Sequence, residues 1–114
     1  MELTPFERLF VHEFCRFAKL QSAAVDMLRA SNRSRNPVGF ITTLDKTTVP
    51  SELRWKERVF ATPRVALVGP TQEQCGSLLF FDSKTGFLEA VEGFVLCDTW
   101  PPTEEPSYWS PVER

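Results

Sequence analysis

Apolar positions in the first thirty residues recur at steps of three and four. Phe6, Leu9, Phe10, Phe14, Phe17 and Ala18 form one stripe, while Arg8, His12, Arg16 and Lys19 fall largely elsewhere. This is the period of an amphipathic helix. Residue chemistry sets its start. Thr4 is a good N-cap because its hydroxyl can accept from an otherwise orphan amide of the first turn. Pro5 suits the first helical position, and Glu7 completes a T-x-x-E capping box at the positive end of the helix dipole. Ala24, Val25 and Leu28 continue the stripe beyond Gln21-Ser22. Residues 4–30 are therefore expected as one long helix or as two with a bend, with Phe10 and Phe14 in the core.

The polar run Ser31 to Asn36, closed by Pro37, reads as a loop. The period then shortens to two: Val38, Phe40, Thr42 and Leu44 alternate with Gly39, Ile41, Thr43 and Asp45, which predicts a strand. Residues 46–58 are polar apart from Val49, Leu53 and Trp55 and read as an irregular connection. Val59 to Val68 reads as a strand disturbed at Pro63, where a ladder donor is missing. The strongest local signal is the pair of apolar runs 76–81 and 87–96 around Asp82-Ser83-Lys84-Thr85-Gly86, a β-hairpin in which Gly86 supplies a positive φ. Glu89 and Glu92 have opposite parity in the second run, so a bulge is expected near Val91 or Gly93. The expectation is an α+β domain: a helical segment, 4–30, packed on an antiparallel sheet of about four strands, 37–97, followed by an extended proline-rich tail, 98–114.

At 114 residues, with 42% apolar and 25% charged positions, the chain has the size and composition of one ordinary globular domain. Thirteen basic against fifteen acidic residues leave a formal charge of -2, which disfavours a nucleic-acid partner and slightly favours a basic one. Cys15, Cys75 and Cys97 are odd in number and form no CxxC pair, so neither a disulfide framework nor a zinc site is suggested. Reduced thiols, no signal-peptide pattern and no apolar run of membrane-spanning length point to the cytoplasm.

Chemistry-bearing motifs are sparse. His12 is the single histidine, which excludes a multi-histidine metal site. Cys15 lies one helical step from it, yet a buried structural thiol is the simpler account. Glu89 and Glu92 could act as a carboxylate pair only if a bulge brought them to one face. Arg33/Arg35 and Arg54/Lys56/Arg58 are the strongest features for nucleic acid, and in a net acidic chain they read as solvated loops. No catalytic, cofactor-binding or metal-binding residue is assigned. Trp100, Tyr108 and Trp109 lie among prolines beside Glu104-Glu105, and either cover the core or form a contact surface aimed at a basic partner.

Gly76-Ser77-Leu78-Leu79-Phe80-Phe81, Gly86-Phe87-Leu88-Glu89-Ala90-Val91-Glu92 and Asp98-Thr99-Trp100-Pro101-Pro102-Thr103 resemble a pattern of small uncharacterised bacterial α+β proteins, roughly G-x-L-L-L-F, G-x-L-x-x-L-E and D-x-P-P-T. The middle departs from it, since Val38 to Leu44 replaces a glycine- and cysteine-rich strand. The resemblance implies a bacterial α+β protein and supplies no catalytic residue. By type, small acidic cofactor-free proteins of this kind are similar to immunity proteins of toxin systems. The expected function is stoichiometric protein binding, a toxin domain being the leading partner, through Glu89, Glu92, Phe94, Asp98, Trp100, Glu104, Glu105, Tyr108 and Trp109. The alternatives are a nucleic-acid-associated or phage inhibitor protein, and a small divergent enzyme or enzyme subunit.

Overall fold

In a computed structural model, which describes residues 1–68, 73–95 and 106–109, the N-terminal capping box forms as its residues require. The Glu7 amide donates to the Thr4 hydroxyl at 3.2 Å, and the Thr4 amide donates to the Glu7 carboxylate at 2.8 Å. Helix α1 spans Pro5–Ala18 and stops at Lys19, which adopts a left-handed conformation (φ 59°) while the Leu20 amide closes on the Cys15 carbonyl at 2.8 Å. The helix is therefore shorter than the apolar stripe. Ser22–Met27 forms a 3-10 turn instead, with Ala24, Val25 and Leu28 still buried.

All strand pairs are antiparallel. The strands are β1 (Ala30–Asn36), β2 (Gly39–Leu44), β3 (Val59–Ala61), β4 (Ala66–Val68), β5 (Glu73–Phe81), β6 (Leu88–Val95) and β7 (Pro106–Trp109). They form one sheet in the order β1-β2-β6-β5-β4-β7, with β3 also on β5. Among the described residues seven strands replace the expected four or so, for three physical reasons. β1, expected as a loop, is a polar edge strand that buries little beyond Ala30, so it carries no apolar alternation. The run around Pro63 is two strands, not one: β3 pairs with Leu78 to Phe80 and β4 with Glu73 to Cys75, both on the same edge of β5. Part of the expected tail, β7, pairs with β4. Its proline sits at the strand start, where a missing donor costs least.

The β5–β6 hairpin follows its sequence signal. The Asp82 carboxylate accepts from the Lys84 and Thr85 amides, and Gly86 has φ 79°. The bulge lies earlier than Val91 or Gly93. Phe81 pairs with Leu88 and Phe80 with Ala90, so Glu89 is the extra residue.

The helix lies on β5, β6 and the 3-10 turn. Phe6, Phe10 and Phe14 are fully buried, and the Phe14 ring meets Phe60 and Phe81 with centroids 5.1 Å away and Trp55 at 5.5 Å. Gly93 is required where the layers meet. A Cβ there would come within 2.6 Å of the Phe40 ring and 3.1 Å of Phe10. Phe17 departs from the expected stripe and is 50% exposed.

Two buried carboxylates on α1 are matched by arginines from outside the helix. Glu7 accepts from Arg33 of β1 through two guanidinium nitrogens, Nε at 2.7 Å and Nη2 at 2.8 Å, and from the Thr42 hydroxyl of β2. Glu13 accepts from Arg64, between β3 and β4, at 2.7 and 2.9 Å, and from Arg16 one helical turn on. Burial alone would raise both carboxyl pKa values. For Glu7, Arg33, Thr42 and the Thr4 amide outweigh burial, and for Glu13, Arg64 and Arg16 do, so both lie below the ordinary glutamate value. Arg33, a candidate nucleic-acid residue from the sequence, is thus half of a structural ion pair.

Truncating Phe14 to Ala should cost on the order of 3–5 kcal/mol in denaturant unfolding, and Phe10→Ala a similar amount. A melting temperature unchanged by both would overturn this packing. The depressed glutamate pKa values also set a pH dependence. Their stabilisation is complete above the unfolded-state value, about 4.3, and is lost as pH falls through the lower folded-state values. Stability should therefore drop below about pH 4, and the drop should be shallower in Glu13→Gln, measured by urea unfolding at stepped pH.

Candidate interaction surface

Strand alternation decides what the face opposite the helix presents. On β2, Phe40, Thr42 and Leu44 are buried, which turns Ile41 and Thr43 outward. On β5, Cys75, Ser77, Leu79 and Phe81 are buried, leaving Leu78 and Phe80 on the other side. Val59 and Ala61 of β3 register with Phe80 and Leu78, and Ala90 of β6 registers with Phe80 and Thr43. Among the described residues no helix covers this side. Ile41 remains 41% exposed and Val59 43%, while Leu78, Phe80 and Ala90 are half-buried. A shallow groove of about 470 Å³ crosses the face, lined by Ile41, Val59, Phe80 and Ala90 with Arg58 and Glu89 among them.

Three of the residues expected to bind a partner meet here. Glu92 registers between Ile41 and Leu78 on the central strand. Glu89 reaches the same groove because the bulge cancels its opposite parity. Both are half-buried, and among the described residues neither side chain takes part in a hydrogen bond or ion pair. Phe94 faces the same way and has a structural task as well. It registers between Gly39 and Gly76, and a Cβ on Gly76 would lie 2.9 Å from its ring, so the ring lies across the glycine and replaces the side chain it lacks.

Asp98, Trp100, Glu104 and Glu105 lie outside the described residues. Tyr108 and Trp109 belong to β7, registered opposite Leu67 and Ala66. Comparison with protein-family models, curated proteins and solved structures gives no match. The outward apolar residues Ile41, Val59, Leu78 and Phe80 were not singled out in the sequence. Their signal was there, because 78–81 is apolar on both parities and a strand with one solvated face should alternate.

Of the helical candidates, Cys15 is withdrawn from solvent. Cys15 is 1% exposed, and burial, reinforced by the Glu52 charge, pushes its thiol pKa up, which keeps it protonated and shielded. His12 is half-buried. Cys75 is also buried. Among the described residues no group of three or more His, Cys, Asp or Glu is arranged to hold a metal. No described helix is long and apolar enough to cross a membrane. Cys15 and Cys75 should react with an aromatic disulfide reagent only as fast as the protein opens, with sites assigned by peptide mass mapping. Rapid native labelling of Cys15 would contradict its placement.

Proposed function

We propose that this chain is a protein-binding module that docks a basic protein on the uncovered face of its sheet. The observation that carries this reading is the apolar floor of Ile41, Val59, Leu78, Phe80 and Ala90, with two carboxylates, Glu89 and Glu92, that nothing among the described residues engages. Contiguous exposed apolar surface rimmed by charge is the composition of a contact site, because the apolar centre supplies affinity and the rim supplies orientation. Two carboxylates left without cationic partners are complementary to a lysine- or arginine-bearing surface. Neutralising a toxin domain by stoichiometric binding is the biological form of this reading that the chain's net acidic charge supports.

The test separates steering from anchoring. A partner captured by the wild-type chain should be purified and its kinetics followed with variants. Ile41→Ser with Val59→Ser, both outward and well exposed, should keep the fold and speed dissociation tenfold or more, on the order of 1.4 kcal/mol. Glu89→Gln with Glu92→Gln should slow association at low salt and change dissociation little. If the first pair leaves both rates unchanged, the partner docks elsewhere and the reading is wrong.

A further inference from the structure

A second surface lies where the end of α1 meets the connection between β2 and β3. Phe17, in the last turn of α1, is half exposed although its neighbour Phe14 is fully buried. Its ring is held in place from beneath, by Phe60 at 5.1 Å and by Trp55 at 6.1 Å in an edge-on contact (72°). Trp55 is itself fixed by Phe14, by Phe60 and through its amide to the Gly86 carbonyl at 3.0 Å. An exposed ring on a rigid aromatic base is a platform, not a loose side chain.

Cations alternate along the segment that carries Trp55, the base on which this ring rests. Arg54 is pinned by a bridge to Phe87 and by its guanidinium lying 5.2 Å from the centre of the Phe87 ring. The Lys56 ammonium lies 6.0 Å from the Trp55 ring, and Arg58 follows at the start of β3. All three are exposed, and none is in an ion pair among the described residues. Glu52 and Glu57 are the acids of the same segment, and Lys19 adds a further exposed cation at the helix end. Arg54, Trp55, Lys56 and Gly86 line a wide, open hollow of about 380 Å³. The chain's net negative charge hides this local reversal.

We propose that this platform binds single-stranded nucleic acid, a base stacking on the Phe17 ring while Arg54, Lys56 and Arg58 neutralise phosphates. An accessible ring beside unpaired cations is the recognition chemistry of such strands, since every base has a stacking face and the backbone is anionic. An acidic peptide would use the cations and gain little from an open, flat ring, so stacking is the discriminating feature.

Fluorescein-labelled (dT)12 should raise its anisotropy with the full chain at 50 mM salt. Three neutralised phosphates imply that affinity falls roughly twentyfold between 50 and 200 mM. Phe17→Ala, at an exposed position, should weaken binding about fivefold or more. Lys56→Gln should weaken it and lower the salt slope by about 0.7. Ile41→Ser with Val59→Ser should leave oligonucleotide binding unchanged, which separates this site from the sheet face. No anisotropy change at protein concentrations up to about 10⁻⁴ M would overturn the proposal. So would binding indifferent to Phe17→Ala, or equal displacement by polyglutamate, each of which reveals polyanion attraction without stacking.

Discussion

The architecture depends on how two carboxylates are buried under a helix. Glu7 and Glu13 lie on the same side of α1 as its phenylalanines, where a bare charge would cost several kcal/mol. Each is matched by a two-pronged arginine from the sheet layer, Arg33 on β1 and Arg64 between β3 and β4, on opposite sides of β2, β6 and β5. Apolar packing alone tolerates sliding and rotation of a helix on a sheet. Charge-assisted pairs at two separated points tolerate neither, so the ion pairs fix the direction in which α1 crosses the sheet. The capping box shares in this, because one Glu7 carboxylate serves the Thr4 amide, Arg33 and Thr42 together.

With one helix committed to one face, the opposite face is left without a helical cover among the described residues. A seven-stranded sheet whose central strands are apolar on both sides is then unsatisfied on one of them. The outward residues of β2, β3, β5 and β6 form a continuous surface because the strands are in antiparallel register, while the extra residue in β6 swings Glu89 to the same side as Glu92. A single bulge thus decides whether two glutamates are opposed across the sheet or gathered on it. Arg54 and Lys56 sit elsewhere, with Trp55 near the end of the helix, and the near balance of total charge conceals two local excesses of opposite sign.

The two surfaces ask different things of a ligand. The sheet face offers apolar area with anionic groups in its midst, suited to a folded basic partner. The helix-end platform offers one exposed ring and exposed cations, suited to a flexible anion with flat groups. They share Arg58, which lines the sheet groove and ends the cationic segment, so occupancy of one site bears electrostatically on the other.

Much of this was legible in the residues. The N-cap, the amphipathic period through Phe14, the Asp82 to Gly86 turn and the disturbance at Pro63 are local, set by backbone chemistry over a few positions, and the structure follows them. The sequence also required a bulge in β6, because two glutamates of opposite parity cannot both avoid the core of a regular strand. What it could not determine depends on distant partners. Ser31 to Asn36 reads as a loop because an edge strand buries too little to imprint a period, and it becomes β1 only by pairing with β2. The tail segment Pro106–Trp109 becomes a strand only because β4 offers an edge. Arg33 reads as a solvated cation until folding sets it 26 positions away against Glu7. Phe17 belongs to the helical stripe by spacing, yet in the last turn of the helix it is half exposed, resting on Phe60 and Trp55. Local chemistry determines where elements begin and turn. Which side of each is covered is decided by long-range pairing, and here the uncovered sides carry the proposed functions.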